Sequence, residues 1–161
     1  VNARVPVYDT GMLIALTDRK AKAVALHHGL GATPHRAVVL GPVLAQAWRP
    51  RPAVIHSLAG VLKDCTVPRA RASEPPMRGA KADRTECIAC MTGPDVTDWR
   101  RIGAALGEAK LSPRKKPDAV DAWVTLSAVK HGSAVIFTSD PEDIAAYLAV
   151  LNPIDVHIQP V

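Results

Sequence analysis

Aromatic side chains are scarce: one Phe, two Tyr and three Trp make up 4% of the 161 residues, so aliphatic packing must supply any core. Three cysteines, Cys65, Cys87 and Cys90, are too few and of the wrong parity for a disulfide framework, and a reducing compartment suits them. No apolar run approaches the ~18 residues of a membrane span, and the first residues lack the charged-then-apolar order of a signal peptide. The expectation is a cytoplasmic chain with no membrane contact. A GxSxG nucleophile elbow and a P-loop are also missing, which removes two common routes to hydrolysis.

What is present has ordinary globular proportions, with 48% apolar and 22% charged residues, and the length suits one domain. The net charge of +5 hides a polarity. Residues 1–117 carry 19 Lys and Arg against nine acids, or +10, whereas residues 118–161 carry Lys130 against six acids, or −5. A polyanion is drawn to the first part. Clustered carboxylates in the second would repel it unless a cation neutralises them.

Aliphatic runs and helical periodicities alternate along the chain. Strands are expected at Val5 to Tyr8, Ala37 to Leu40, Cys65 to Val67, Ala134 to Phe137 and Ile154 to Ile158. Helices are expected after Gly11, over residues 19–30, from Gly41-Pro42 through Trp48, and from Ala53 to Leu62. Three more follow over Thr97 to Glu108, with Trp99, Ile102, Ala105 and Leu106 inward, Asp118 to Lys130, and Pro141 to Leu151. This order predicts a three-layer α/β/α fold around a central parallel sheet, a single domain over 1–161. From Ala70 to Val96 the periodicity disappears into a polar, basic stretch that reads as an inserted loop.

In such sheets ligands gather outside the carboxyl ends of the strands. Asp9 and Asp140 each end a strand, and Asp118 and Asp121 share one face at a helix start. Each has a plain structural role available. Asp118-Ala-Val-Asp121 has capping-box spacing, Asp140-Pro141-Glu142-Asp143 offers an N-cap with first-turn acids, and Asp9 can cap the helix after it. Convergence favours another role, because carboxylates held together destabilise one another and a hard cation such as Mg²⁺ or Mn²⁺ removes that cost.

Asp9-Thr10 after an aliphatic strand, "GPVLAQAW" in mid-chain, "DAVDAWV" at 118 and "FTSDPEDI" at 137 together resemble the PIN-domain family, specifically the VapC-type toxins of toxin and antitoxin pairs. The resemblance covers about residues 5–68 and 97–160; the insert at about 70–96 is atypical. It implies a Mg²⁺- or Mn²⁺-dependent endoribonuclease, commonly a homodimer, held inactive by a cognate antitoxin protein. The family's catalytic acids fall on Asp9, Asp118 and Asp140, with Asp121 a further metal ligand and Thr10, Thr138 and Ser139 as supporting hydroxyls. Its second acid, normally Glu, falls on Gln46, which keeps an oxygen ligand but lacks the charge. A nuclease-impaired homologue that binds RNA or an antitoxin is therefore the alternative.

Arg114, Lys115 and Lys116 form a basic connector leading into Asp118. It reads either as a solvated linker or as an RNA-backbone contact, and its position favours contact. Few aromatics argue against recognition mainly by base stacking. Cys87-Ile-Ala-Cys90 has half the spacing of a zinc site without the other half, and reduced thiols are the favoured reading. His27, His28, His35, His56, His131 and His157 show no ligand spacing, which leaves surface or packing roles. Trp48, Trp99 and Trp123 lie on apolar helix faces, as core or dimer-interface residues. A receiver-type phosphotransfer domain is disfavoured, since Asp9 has no adjacent second acid and no Lys follows the Asp140 strand.

Overall fold

The computed structural model describes residues 4–68 and 93–161. Most of the expected insert, with Cys87 and Cys90, lies outside the described residues. Five strands form one sheet: β1 (Val5–Tyr8), β2 (Ala37–Val39), β3 (Cys65–Thr66), β4 (Ser133–Thr138) and β5 (Asp155–Pro160), ordered β3-β2-β1-β4-β5. Every pairing is parallel, with Tyr8 beside Val39 on one side and beside Phe137 on the other.

Among the described residues seven helices cover the sheet: α1 (Thr10–Thr17), α2 (Ala21–Leu30), α3 (Gly41–Ala47), α4 (Pro52–Leu62), α5 (Val96–Glu108), α6 (Ala119–His131) and α7 (Pro141–Leu151). They fall into two groups. Helix α1 packs on α2, α3 and α4, while α5, α6 and α7 pack on one another, and α1 and α6 both reach β1 and β4. The architecture is the expected three-layer α/β/α fold. None of the described helices is long and apolar enough to cross a membrane.

Burial follows strand position. Val7, Tyr8 and all of β2 are buried, as inner parallel strands covered on both faces must be, while β5 at the edge is only partly covered. Aliphatic side chains do fill the main core, with Met12, Leu13, Leu58, Val124 and Ile136 around Tyr8 and Phe137. A smaller cluster of Ile102, Ala105, Ala122, Leu126 and Tyr147 joins α5, α6 and α7.

In α5 the inward face differs from expectation. Ile102 and Ala105 are buried, but so is Asp98, while Trp99 is 49% exposed. Lys130 explains the exchange: its ammonium lies 2.6 Å from the Asp98 carboxylate, so the acid enters the helix interface with its own counter-charge. Trp99 instead meets Trp123 edge to face, with ring centres 5.6 Å apart.

The chain runs outward from β1 to β2 and β3, then returns to lay β4 on the other side of β1. This reversal makes the carboxyl ends of β1 and β4 the topological switch point, where an open α/β sheet leaves a crevice. Asp9 directly follows β1, and Asp140 follows β4 by way of Ser139.

Candidate functional site

Asp9 continues the β1 ladder by one bond, its N–H donating to Phe137 O at 3.1 Å, before the chain turns into α1. Its side chain is buried with two attachments: Oδ1 accepts from the Thr10 N–H and Oδ2 accepts from the Thr138 hydroxyl at 2.6 Å. The Thr138 oxygen also accepts the Asp140 N–H at 2.9 Å, so one buried hydroxyl ties both strand ends together. Burial raises the Asp9 carboxyl above its ordinary range, the Thr138 hydroxyl and the Thr10 and Gly11 amides oppose that, and the charge of Asp140 adds to it.

The approach of α1 to the end of β4 is close. A Cβ on Gly11 would lie 2.0 Å from Ser139 Oγ, 2.8 Å from its Cβ and 3.0 Å from its backbone nitrogen. Only glycine permits this contact, and Ser139 is placed against the first turn of α1 by it.

Across the crevice, Gln46 on α3 spans two elements. Its Oε1 accepts from the Thr10 hydroxyl at 2.6 Å and its Nε2 donates to Asp118 Oδ2 over a long 3.4 Å. A carboxylate can only accept, so the amide nitrogen faces Asp118 and the amide oxygen is committed to Thr10. In this arrangement Gln46 is a neutral bridge between acids and hydroxyl.

Asp118 caps α6, its Oδ1 accepting the Val120 N–H at 2.7 Å, while its own N–H donates to the Tyr147 hydroxyl at 2.9 Å. The spacing to Asp121 therefore does not close a capping box. Asp121 stays half-buried, and its carboxyl is pushed up to about 7, first by burial and then by the charges of Asp9, Asp118, Asp140 and Asp143. With burial first and like charge next among its causes, this shift registers how closely the acids are gathered.

Asp140 precedes α7 without capping it by a side-chain hydrogen bond. Its Oδ1 instead meets Lys115 Nζ at 2.6 Å, and the same ammonium lies 3.0 Å from Asp143 Oδ2. Hydrogen bonds to these two acids hold the Lys115 amine well above its usual range. Of the basic connector, Lys115 is thus turned onto the carboxylates, while Arg114 and Lys116 are exposed. Sequence reasoning passed over Asp143 and Tyr147 as site residues. Asp143 was visible only as a first-turn acid, and nothing in the sequence signals the long-range bond from Asp118 to Tyr147.

The donor chemistry, carboxylate oxygens from three chain segments, suits a hard divalent cation, and the like-charge repulsion that weakens Asp121 as an acid is the cost that such a cation would relieve. Among the described residues no three of His, Cys, Asp or Glu are gathered closely enough to hold a metal ion as they stand. The positive charge facing Asp140 and Asp143 is that of Lys115. No family model, curated protein or solved structure matches this chain.

Proposed function

We propose that the chain is a metal-dependent endoribonuclease of the PIN type, acting in the cytoplasm as the toxin of a toxin and antitoxin pair. The observation that carries the reading is the linkage of the acids at the switch point of the sheet: Thr138 joins Asp9 to Asp140, Gln46 joins Thr10 to Asp118, and Asp121 lies near enough to feel their charge. Capping hydrogen bonds account for Asp9 and Asp118 in part, whereas Asp121, in the first turn of α6, and Asp140, at the start of α7, make none.

In this reading Asp9, Asp118, Asp121 and Asp140 hold Mg²⁺ or Mn²⁺, which when bound supplies activation of water and charge stabilisation at the scissile phosphate. Thr138 fixes the Asp9 carboxylate and the Asp140 backbone in one relation. Thr10 and Gln46 hold Asp118 against the crevice, and Ser139 lies beside them at the head of α1. Arg114 and Lys116 meet the RNA backbone, and Lys115, already beside the acids, is the cation nearest the phosphate. The homodimer and the antitoxin are partners in the same reading, with the exposed Trp48 and Trp99 available to a protein surface.

The position of Gln46 favours a second reading, a nuclease-impaired homologue that binds RNA or antitoxin. A neutral amide stands where the resemblance expects an acid, and its oxygen is taken by Thr10.

Cleavage of a mixed RNA pool with Mg²⁺ or Mn²⁺ tests the first reading. Activity should fall on the order of a hundredfold or more in Asp9→Asn with the thermal melt largely retained, because an amide still caps α1 but loses the charge. Equal cleavage by the two proteins overturns the assignment. A parent that binds RNA without cutting, while Gln46→Glu cuts, establishes the second reading.

A further inference from the structure

The residues assigned so far cluster at the carboxyl ends of the strands. At the amino-terminal edge, where Arg36 leads into β2 and Asp64 into β3, lies a cavity of about 240 Å³ walled by Tyr8, His27, His28, His35, Arg36 and Asp64. Its volume is several times the ~30 Å³ share of one water and below the ~300 Å³ at which pockets for organic ligands begin. The space therefore suits a compact ion with some of its hydration.

The floor has a defined hydrogen-bond pattern. Tyr8 Oη lies 2.9 Å from His27 Nδ1. A buried phenol O–H requires an acceptor, and this ring nitrogen is within its reach. Burial also lowers the basicity of His27, ahead of an opposing effect of Asp64 and a smaller contribution from His28. Nδ1 thus accepts the Tyr8 proton and Nε2 carries the hydrogen of a neutral ring.

Above that floor the walls present donors. Arg36 offers a planar fork whose geometry matches the oxygens of a phosphate, and His28 and His35 add ring N–H groups. From α6, His131 also stands close enough to His35 to feel its charge. Opposing an anion are the Asp64 carboxylate and the carbonyl end of α2, with Cys65 buried behind as a thiol pushed up to about 12. Arg36 and Asp64 cancel in formal charge, so binding of an anion rests on the number of donors in the walls.

We propose that this cavity binds a phosphate group, gripped by Arg36, His28 and His35 over the Tyr8–His27 floor. The phosphate is either the free inorganic ion or the terminal monoester of an RNA, whose nucleoside would remain outside a space this small. The site is independent of the carboxylate cluster and stands whether or not the chain cuts RNA.

Histidine ring resonances of the whole protein, followed by NMR in EDTA while inorganic phosphate is added, provide the test. Saturable shifts of His28 and His35 are expected with a dissociation constant of about 1 mM near pH 6. A short RNA bearing a 5′ phosphate, set against the same RNA with a 5′ hydroxyl, separates the two sources: a difference confined to the phosphorylated form identifies an RNA end. Binding should weaken at least about tenfold in Arg36→Ala and partly recover in Arg36→Lys, since the ammonium restores charge without the fork. Linear, unsaturated shifts near pH 6, or equal affinity in the parent and a folded Arg36→Ala, overturn the proposal. If Arg36→Ala fails to fold, His35→Gln replaces it, and unchanged affinity there has the same meaning.

Discussion

Helices α5 and α6 begin alike. Each is entered from an Asp and carries a second Asp three residues on: Asp95 and Asp98 in one, Asp118 and Asp121 in the other. In α5 the pattern closes on itself, Asp98 N–H donating to Asp95 Oδ1 at 2.8 Å and Asp95 N–H donating to Asp98 Oδ2 at 3.3 Å. Lys130 then supplies a cation to Asp98. In α6 Tyr147 takes the Asp118 N–H, which leaves the Asp121 carboxylate unused by its own helix and facing four other acids. Burial raises both groups, but the Lys130 and Asp95 hydrogen bonds outweigh it at Asp98 and bring that carboxyl below its usual range, whereas like charge adds to it at Asp121. The same local motif is structure in one place and a candidate site in the other, and the difference lies in long-range partners.

The largest effect that would break this contrast is loss of the paired acid. Asp98→Asn keeps an oxygen for the cap but strands Lys130. The pair is covered yet shallow, so the loss should be about 1–3 kcal/mol, below that of a deep ion pair, read by chemical denaturation at pH 7. A loss under a few tenths would mean the cation contributes nothing.

Asp121→Asn should move stability the other way. In EDTA at pH 8 it removes a carboxylate from among like charges and should stabilise by about 1–2 kcal/mol after allowance for solvent screening. The two acids also have opposite pH signatures. A raised folded value means that the folded state holds the extra proton, so the Asp121 contribution is complete below about pH 4 and is lost as pH rises through about 7. A lowered value means the Asp98 contribution is present above about pH 4 and fades as pH falls below it. Parent-minus-mutant melts across that range should therefore slope in opposite directions, and parallel slopes would dissolve the comparison.

Tyr147→Phe sharpens it with the smallest change. Removing one hydroxyl costs about 1 kcal/mol and frees the Asp118 N–H. Asp121 can then close the box that Asp98 closes in α5, which should lower RNA cleavage by more than the stability change explains. A variant that loses stability but keeps full activity would show that Asp121 is not diverted.

The alternation of aliphatic runs with helical periodicity was legible in the sequence because inner parallel strands are buried on both faces and end abruptly, as at Tyr8-Asp9 and Thr138 to Asp140. Strand ends also made Asp9 and Asp140 readable as residues of the ligand edge. Less was legible where a distant residue changes a side chain's meaning. Apolar periodicity assigned Trp99 to the interior of α5 because the counter-charge that admits Asp98 sits 32 residues away on α6. The connector showed only positive charge at Lys115, not its two acid partners. The histidines at 27, 28 and 35 had no common spacing because Arg36, Asp64 and Tyr8 complete their cavity.

The contact of Gly11 with Ser139 has an effect on how function should be mapped. Substituting each position in turn and scoring survival or activity would rank Gly11 beside Asp9, although it has no side chain to offer a substrate. Any larger residue wedges α1 away from the end of β4 and shifts the frame to which the acids are fixed, costing about 1–3 kcal/mol if the fold absorbs it. Sensitivity at that position measures tolerance in assembly, and a chemist reading such a map should separate it from the carboxylates by whether a shorter neighbour, Ser139→Gly, restores what Gly11→Ala removes.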